Sequence, residues 1–528
     1  PYHQFQVPTP SLKKKKKKNP TYRVRVRAAA AALFPIRFRS RSRFPMEKTN
    51  SAIPSRTGAP GPAGTVVFPD WVMLDRDGRT ICHDDDATAA QEAVKNKSTA
   101  VEVHTASGHS GYFSFHLVDP PQVSYLDLHW RSVFPPAYPS VLAADENLVL
   151  LRIAIPNQPN YYKAPEDLFV YEAGPSPSLV RLPLYTSSAR GLVGRKVFLV
   201  DNLAIGILQR ADHYLVADLI ISAAAREGCH SNGDKGNNDP MIAKLCVYYS
   251  KKKQWEVRTK KVNNSKFPII WSTDNVLPFD GRFLCWVDYF RGVLLCDFSN
   301  RRDPMIHFVP FPGKKQYSDK VHTSKCYPDR FRSVSISQGI MCFVHIDNDW
   351  HEKVYMDENW DDECNEGVQS GSKMDDECNE GVRPSSKIDD EFNVGVQSGP
   401  KITIWTLKSD FNWEVHCEID LGYLWRQTDY KKLGIPSCLP EFPIINLDDP
   451  DILYCLLREK EFGGTAWMIK INMKDKKVKL ARKYVNENLS YIADMYVEAH
   501  RNSFSNAPLL ATVFSKYLKK GLTGNQKL

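Results

Sequence analysis

The sequence has no C-x-x-C pair, although it contains 12 cysteines in 528 residues. That absence excludes zinc ribbons and thioredoxin-type redox motifs. It also lacks any run approaching the roughly 20 apolar residues that a helix needs to cross a bilayer, so no membrane partner is expected. Catalytic signatures are missing as well. The stretch SGHSG (Ser107–Gly111) lacks the G-x-S-x-G spacing of a nucleophile elbow. No Walker A loop, H-E-x-x-H pair or strand-linked G-x-G-x-x-G occurs. CHDDD (Cys82–Asp86) sets potential metal ligands side by side, but consecutive residues of an extended chain point to opposite faces, so a solvated loop is expected. GCHSNGDKGNNDP at 228–240 reads as turn chemistry. No cofactor and no metal are expected, and no catalytic residue can be assigned.

Acidic residues are absent from residues 1–46, which hold six consecutive lysines (Lys13–Lys18) and seven arginines between Arg23 and Arg43. The formal charge of the whole chain is +9. The leader alone carries +13, so the remainder sums to −4 and implies no basic face on the fold. Nucleic-acid binding could come only from the leader, without sequence preference and steeply salt-dependent. Three readings of the leader are open. It resembles an organellar transit peptide in its arginine content, it contains a nuclear-import or polyanion patch, or it is a disordered extension ahead of a true start at Met46. The third is the expectation adopted, with 1–64 a basic and then Gly/Pro/Ser-rich linker. Cytoplasmic or nuclear residence follows, with plastid or mitochondrion as the alternative if 1–46 is a transit peptide. Cys246, Cys285, Cys296, Cys342 and Cys455 lie in apolar strand patterns, which predicts buried free thiols in a reducing compartment.

Large apolar residues are scarce in Asp361–Ile402, where one acidic fourteen-residue phrase recurs three times: DDECNEGVQSGSKM, DDECNEGVRPSSKI and DDEFNVGVQSGPKI. Such a segment cannot bury enough surface to offset its ordering entropy. Its clustered carboxylates lack the alternating ligands and central glycine of a calcium loop, and Cys364 and Cys378 each stand alone. It reads as a tandem duplication inserted in a solvent-exposed loop.

What is present is a fainter and longer repeat. Four segments begin at Leu168, Lys244, Ile402 and Trp467: LFVYEAGPSPSLVRLPL, KLCVYYSKKKQWEVRTK, ITIWTLKSDFNWEVHCE and WMIKINMKDKKVKLARK. Each reads strand, turn, strand, with period-2 alternation and a large apolar residue eleven positions on: Leu179, Trp255, Trp413 and Val478. Further apolar runs precede each hairpin. Another unit, GRFLCWVDYFRGVLLCDFSN followed by MIHFVPFP, lies between the second and third. Units of three to four strands every 50–75 residues predict an all-β, β-propeller-like domain over 65–520 with five or six blades. The uncertain blade is the one built from TVVFPDWVMLD and GYFSFHLV. Trp255 and Trp413 are expected to pack between neighbouring blades.

The segments STDNVLPFDGRFLCWVDYFRGVLLCDF, FVPFP, RFRSVSISQGIMCFVHID, ITIWTL and DPDILYCLL resemble the plant family of domain of unknown function 1618, abundant in grasses. The resemblance runs from about Pro69 to about Tyr517, with Ser272–Pro312 its most specific part. It implies a kelch-like propeller of the kind associated with F-box proteins, although no F-box precedes PDWVMLD. The resemblance supplies no catalytic residue. The functional expectation is a monomeric, non-catalytic protein–protein interaction module. Its rivals are a propeller hydrolase or lyase with a site at the channel mouth, and a polyanion binder acting through the leader. A module of this kind predicts no convergent polar cluster at the channel, and instead aromatic and apolar loop residues exposed on one face.

Overall fold

The computed structural model describes residues 67–83, 88–155, 166–183, 204–223, 241–262, 271–300, 304–313, 328–347, 399–459, 464–485 and 509–519. All belong to one compact unit, Val66–Leu528. The leader, residues 361–398 of the triplet, Asp84–Asp86 and residues 228–240 lie outside the described residues.

The alternating segments build strands in a regular order. Blade 1 takes β1 (Val72–Leu74), β2 (Arg79–His83), β3 (Val101–His104), β4 (Ser110–His116) and β5 (Val123–Arg131). Blade 2 is β6 (Tyr138–Asp145), β7 (Leu148–Ala154), β8 (Glu166–Glu172) and β9 (Ser178–Arg181). Blade 3 is β10 (Ile205–Gln209), β11 (Tyr214–Ala223), β12 (Met241–Tyr249) and β13 (Gln254–Val262). Blade 4 is β14 (Asn275–Phe279), β15 (Phe283–Asp288), β16 (Gly292–Asp297) and β17 (Met305–Pro310). Blade 5 is β18 (Arg332–Ser337), β19 (Ile340–Ile346), β20 (Lys401–Leu407) and β21 (Trp413–Asp420). Blade 6 is β22 (Glu441–Ile445), β23 (Ile452–Arg458), β24 (Ala466–Asn472) and β25 (Lys477–Tyr484). The last strand, β26 (Leu510–Thr512), returns to blade 1 and pairs antiparallel with β1.

Blades 2 to 6 are four-stranded antiparallel meanders, so six blades stand where five or six were expected. Blade 1 departs from that pattern. Its order is β26-β1-β5-β4-β3, with β1 and β2 both parallel to β5. Parallel neighbours need a crossover connection, and here the chain between β2 and β5 supplies it with α1 (Ala89–Val94) and the β3–β4 hairpin.

The core is six layers, one between each pair of neighbouring blades. The hydrophobic clusters join blades 1 and 2, 2 and 3, 3 and 4, 4 and 5, 5 and 6, and 6 and 1. The last of these closes the ring. The period of two does the sorting. On β23, Leu453, Cys455 and Leu457 face blade 5 while Ile452, Tyr454 and Leu456 face blade 1. A strand buried on both faces reads as a continuous apolar run, which is why ILYCLL carries no visible alternation. All five cysteines named above are buried. Burial pushes the thiols of Cys296 and Cys342 up to about 12, so they stay protonated and inert.

The four faint repeats are the outer hairpins of blades 2, 3, 5 and 6, and their shared apolar position has one role. Leu179, Trp255, Trp413 and Val478 each pack toward the preceding blade. The two indoles also make equivalent hydrogen bonds. Trp255 Nε1 donates to the Pro183 carbonyl at 2.9 Å, and Trp413 Nε1 donates to the Pro310 carbonyl at 3.0 Å. Both carbonyls lie at the end of the preceding blade's outermost strand. Both rings are half-buried rather than core.

The acidic triplet enters blade 5 between β19 and β20, and its final Lys401 and Ile402 already belong to β20. Deleting residues 361–388, two of the three copies, should therefore shift the free energy of unfolding by only a few tenths of a kcal/mol, since loop length enters logarithmically. Trp413→Ala, which removes a half-buried ring packed at a tilt against Phe311 and Phe343, should cost roughly 2–3 kcal/mol. Urea denaturation of both variants checks the pair. Equal tolerance of the two changes would mean that the outer hairpins do not bind the blades together.

Candidate binding channel

The innermost strand of every blade (β26, β6, β10, β14, β18 and β22) faces a central channel whose cavity measures about 1070 Å³. Its lining mixes apolar residues, among them Leu277, Val334, Ile336, Ile444 and Leu510, with the hydroxyls of Ser333, Ser335 and Thr512 on the same strands. Gly206 on β10 lets blade 3 approach blade 4, because a Cβ there would stand 2.4 Å from Val276 Cγ1.

One end of the channel is closed by polar groups. Arg76, just past β1, donates through Nη1 to the Leu142 carbonyl of blade 2 at 2.5 Å and through Nη2 to Asn275 Oδ1 of blade 4 at 2.8 Å. Blades 1 and 4 are opposite each other in a ring of six, so this guanidinium spans the channel axis. Asn275 Nδ2 in turn donates to the Tyr289 hydroxyl at 3.4 Å, and Arg332 Nη1 donates to the Tyr289 carbonyl at 2.8 Å. Burial lowers the Arg76 pKa to about 10 and raises that of Tyr289.

The other end is the mouth, formed by the turns that follow the inner strands. Four of these turns hold on to a neighbouring blade. Gln209 N–H donates to Asp145 Oδ2 at 2.6 Å, and Arg210 Nη1 to the Gly281 carbonyl at 2.9 Å. Gln338 donates from its backbone to the Leu447 carbonyl at 2.9 Å and from Nε2 to the Asp448 carbonyl at 2.6 Å. Lys516 lies 3.5 Å from Glu146, which also accepts from the Tyr517 hydroxyl. Gln338 and Gly339 both have positive φ, the backbone a tight two-residue hairpin requires.

The expectation of a channel without a convergent polar cluster is thus corrected: polar groups from several blades meet at both ends. Among the described residues, exposed large apolar side chains include Val180, Met305 and Val415 on the outermost strands β9, β17 and β21, and Ile340 beside the Gln338–Gly339 turn at the mouth. The outermost strand is the sheet's open edge and leaves one face of its side chains to solvent, so apolar residues surface there.

The perturbed carboxylates have structural causes. Burial raises Asp75 to about 7, with the Asp77 charge adding to it, and Asp75 Oδ1 accepts the Asp77 N–H at 3.0 Å. Burial likewise raises Asp145 to about 7, and that carboxyl bonds the Gln209 N–H. Asp329, raised by burial to about 6, also accepts from backbone N–H groups. Each fixes a turn or joins two blades.

A nucleophile–base arrangement that the sequence did not reveal lies in blade 1, away from the channel. Ser114 Oγ is 3.0 Å from His129 Nε2, whose Nδ1 is 2.9 Å from His83 Nε2, and Lys97 Nζ is within 3.2 Å of both Ser114 Oγ and His129 Nε2. Ser114 is fully buried. Desolvation, Lys97 and His83 lower His129 to about 4, a weak base at neutral pH. The expectation that CHDDD is a solvated loop is corrected at its first two residues, since Cys82 and His83 form the end of β2 and His83 belongs to this cluster.

The carboxylates set a pH dependence. A group with its pKa raised from 3.8 to about 7 on folding contributes stability that is present below about pH 4 and lost as pH rises to about 7. Wild type should therefore lose stability between pH 5 and pH 7.5. Asp75→Asn or Asp145→Asn should each flatten that loss, by an amount on the order of 2 kcal/mol. Urea midpoints at the two pH values check this, and a wild-type slope unchanged in both variants would refute it.

No curated protein matches the chain. Among solved structures it is similar to a tryptophan-to-alanine mutant of the apocarotenoid oxygenase of Synechocystis, 9% identical, with 79% of each chain covered and a TM-score of 0.28. Likeness at that level says nothing of what this chain does. Residues 286–454, from β15 to β23, match the family model described as a protein of unknown function, DUF1618.

Proposed function

We propose that this propeller is a non-catalytic module that binds an extended segment of a protein partner at the channel mouth. The observation that carries the reading is the composition of the channel: a lining of apolar residues and hydroxyls with a rim of both charge signs, and polar groups engaged in holding blades together. A site of about 1070 Å³ is at the upper end of what one small ligand fills, and it suits apolar side chains inserted from a partner. The rim presents Asp280, Arg282 and Asp448, a polar border of the kind that surrounds a protein interface. Rigid sheets with variable turns suit recognition. Buried free thiols favour a reducing compartment, cytoplasm or nucleus. Among the described residues, no helix is long and apolar enough to cross a membrane.

The test is affinity capture with the purified chain from the tissue that expresses it, repeated with Asp280→Lys, Arg282→Glu and Asp448→Lys combined. A partner whose recovery falls at least tenfold in this variant, but not in Lys252→Glu with Glu414→Lys on the outer hairpins, supports the module. Undiminished recovery, or turnover of a small molecule by the pure protein, would overturn it.

A further inference from the structure

The junction of blades 5 and 6 carries a constellation that the channel does not use. His416, Cys417 and Asp451 bring a ring nitrogen, a sulfur and a carboxylate oxygen to within 4.8 Å of one another. His416 Nε2 lies 2.7 Å from Asp451 Oδ1. Consecutive residues of a regular strand cannot do this, because their side chains leave on opposite faces. The explanation is a β-bulge. Trp405 pairs with Val415 and Ile404 pairs with Cys417, which leaves His416 as an extra residue on β21. The bulge reverses the alternation behind it. Trp413 faces blade 4, whereas Cys417 joins the cluster between blades 5 and 6. His416 reaches Asp451 at the start of β23 in blade 6. Bulges that re-aim side chains recur at functional sites.

We propose that His416, Cys417 and Asp451 form a transition-metal site of the zinc class that spans blades 5 and 6. The donor set is the argument. A thiolate, an imidazole and a carboxylate together suit zinc and discriminate against calcium and magnesium, which require oxygen. Zinc holds such donors at about 2.0–2.3 Å, and the three ligand atoms lie within 4.8 Å of one another. As the cation enters, the imidazole proton passes by way of solvent from Nε2 to Nδ1, freeing Nε2 as a neutral donor, and the thiol proton leaves to solvent. A dication then meets two anionic donors and one neutral donor, with the Lys476 ammonium nearby. His416 and Asp451 side chains are 31% and 28% exposed, which gives the ion a path in from solvent. Burial and then the Asp451 carboxylate push the Cys417 thiol up to about 12, against the opposing pull of Lys476, so the cation itself must displace the thiol proton. Three protein donors leave a fourth position for water or for a donor from a bound partner.

Cobalt(II) is the probe, titrated into the full-length, reduced protein after chelator treatment. The expected result is one equivalent bound with a thiolate-to-cobalt charge-transfer band and the visible bands of a tetrahedral ion, both erased by one equivalent of zinc. Cys417→Ser should abolish the charge-transfer band, and Asp451→Asn should weaken cobalt binding at least tenfold with the fold intact by circular dichroism. His416→Gln, on the exposed side of the site, provides a second variant with the same expected loss. Absence of any thiolate band in wild type at millimolar cobalt would overturn the proposal. So would a band that survives Cys417→Ser, since it would come from another cysteine.

Discussion

Everything in this molecule hangs on a three-residue ladder between strands far apart in the chain. Val72 pairs with Thr512, Met73 with Ala511 and Leu74 with Leu510. Five meanders in a row would otherwise expose an apolar sheet face at each end of the array, one on blade 2 and one on blade 6. Blade 1 covers both, through Val72 and Leu74 on one side and Met73 on the other. The ladder is short, so its anchors matter. Phe514, fully buried, packs its ring against Phe115 and Tyr171 at 4.8 and 6.3 Å, and burial of such a ring contributes about 2–3 kcal/mol.

Closure also explains why the channel is polar where it is. Six inner strands converge on one axis, and their ends bring backbone carbonyls and turn residues together from every blade. Buried polar groups need partners, and the nearest ones belong to other blades. Arg76 answers this at one end by reaching blades 2 and 4 together, and Asp145 and Gln338 answer it at the mouth. Raised carboxylate pKa values in such a place report burial before they report chemistry. The same rule covers Ser114 and His129, whose hydrogen-bonded contact is sealed inside a sheet.

The sequence made the blades legible because period-2 alternation and the tryptophan of WEV survive in the outer hairpins, which are half-exposed. The inner strands were hard to recognise as walls, since residues such as Ile205 and Ile207 are buried on β10 and show only an apolar run. Closure was illegible for a simpler reason: β26 is three residues long, too short for any period to register. Arg76 in LDRDGRT looks like any surface turn until β1 is placed beside the channel. The joint placement of His416 and Cys417 was hidden because it depends on one extra residue in β21, and their partner Asp451 is 35 residues from His416. Alternation, the rule that revealed the hairpins, argues against such a pair, and the bulge is where that rule breaks.

Native-state hydrogen exchange tests the closed ring most directly. The amides that bond β1 to β26 should exchange only through global unfolding, with the same free energy and the same denaturant slope as those of β10 and β14. Fast exchange of β1 and β26, with the inner strands of blades 3 and 4 still protected, would contradict closure as the constraint that holds the six blades together.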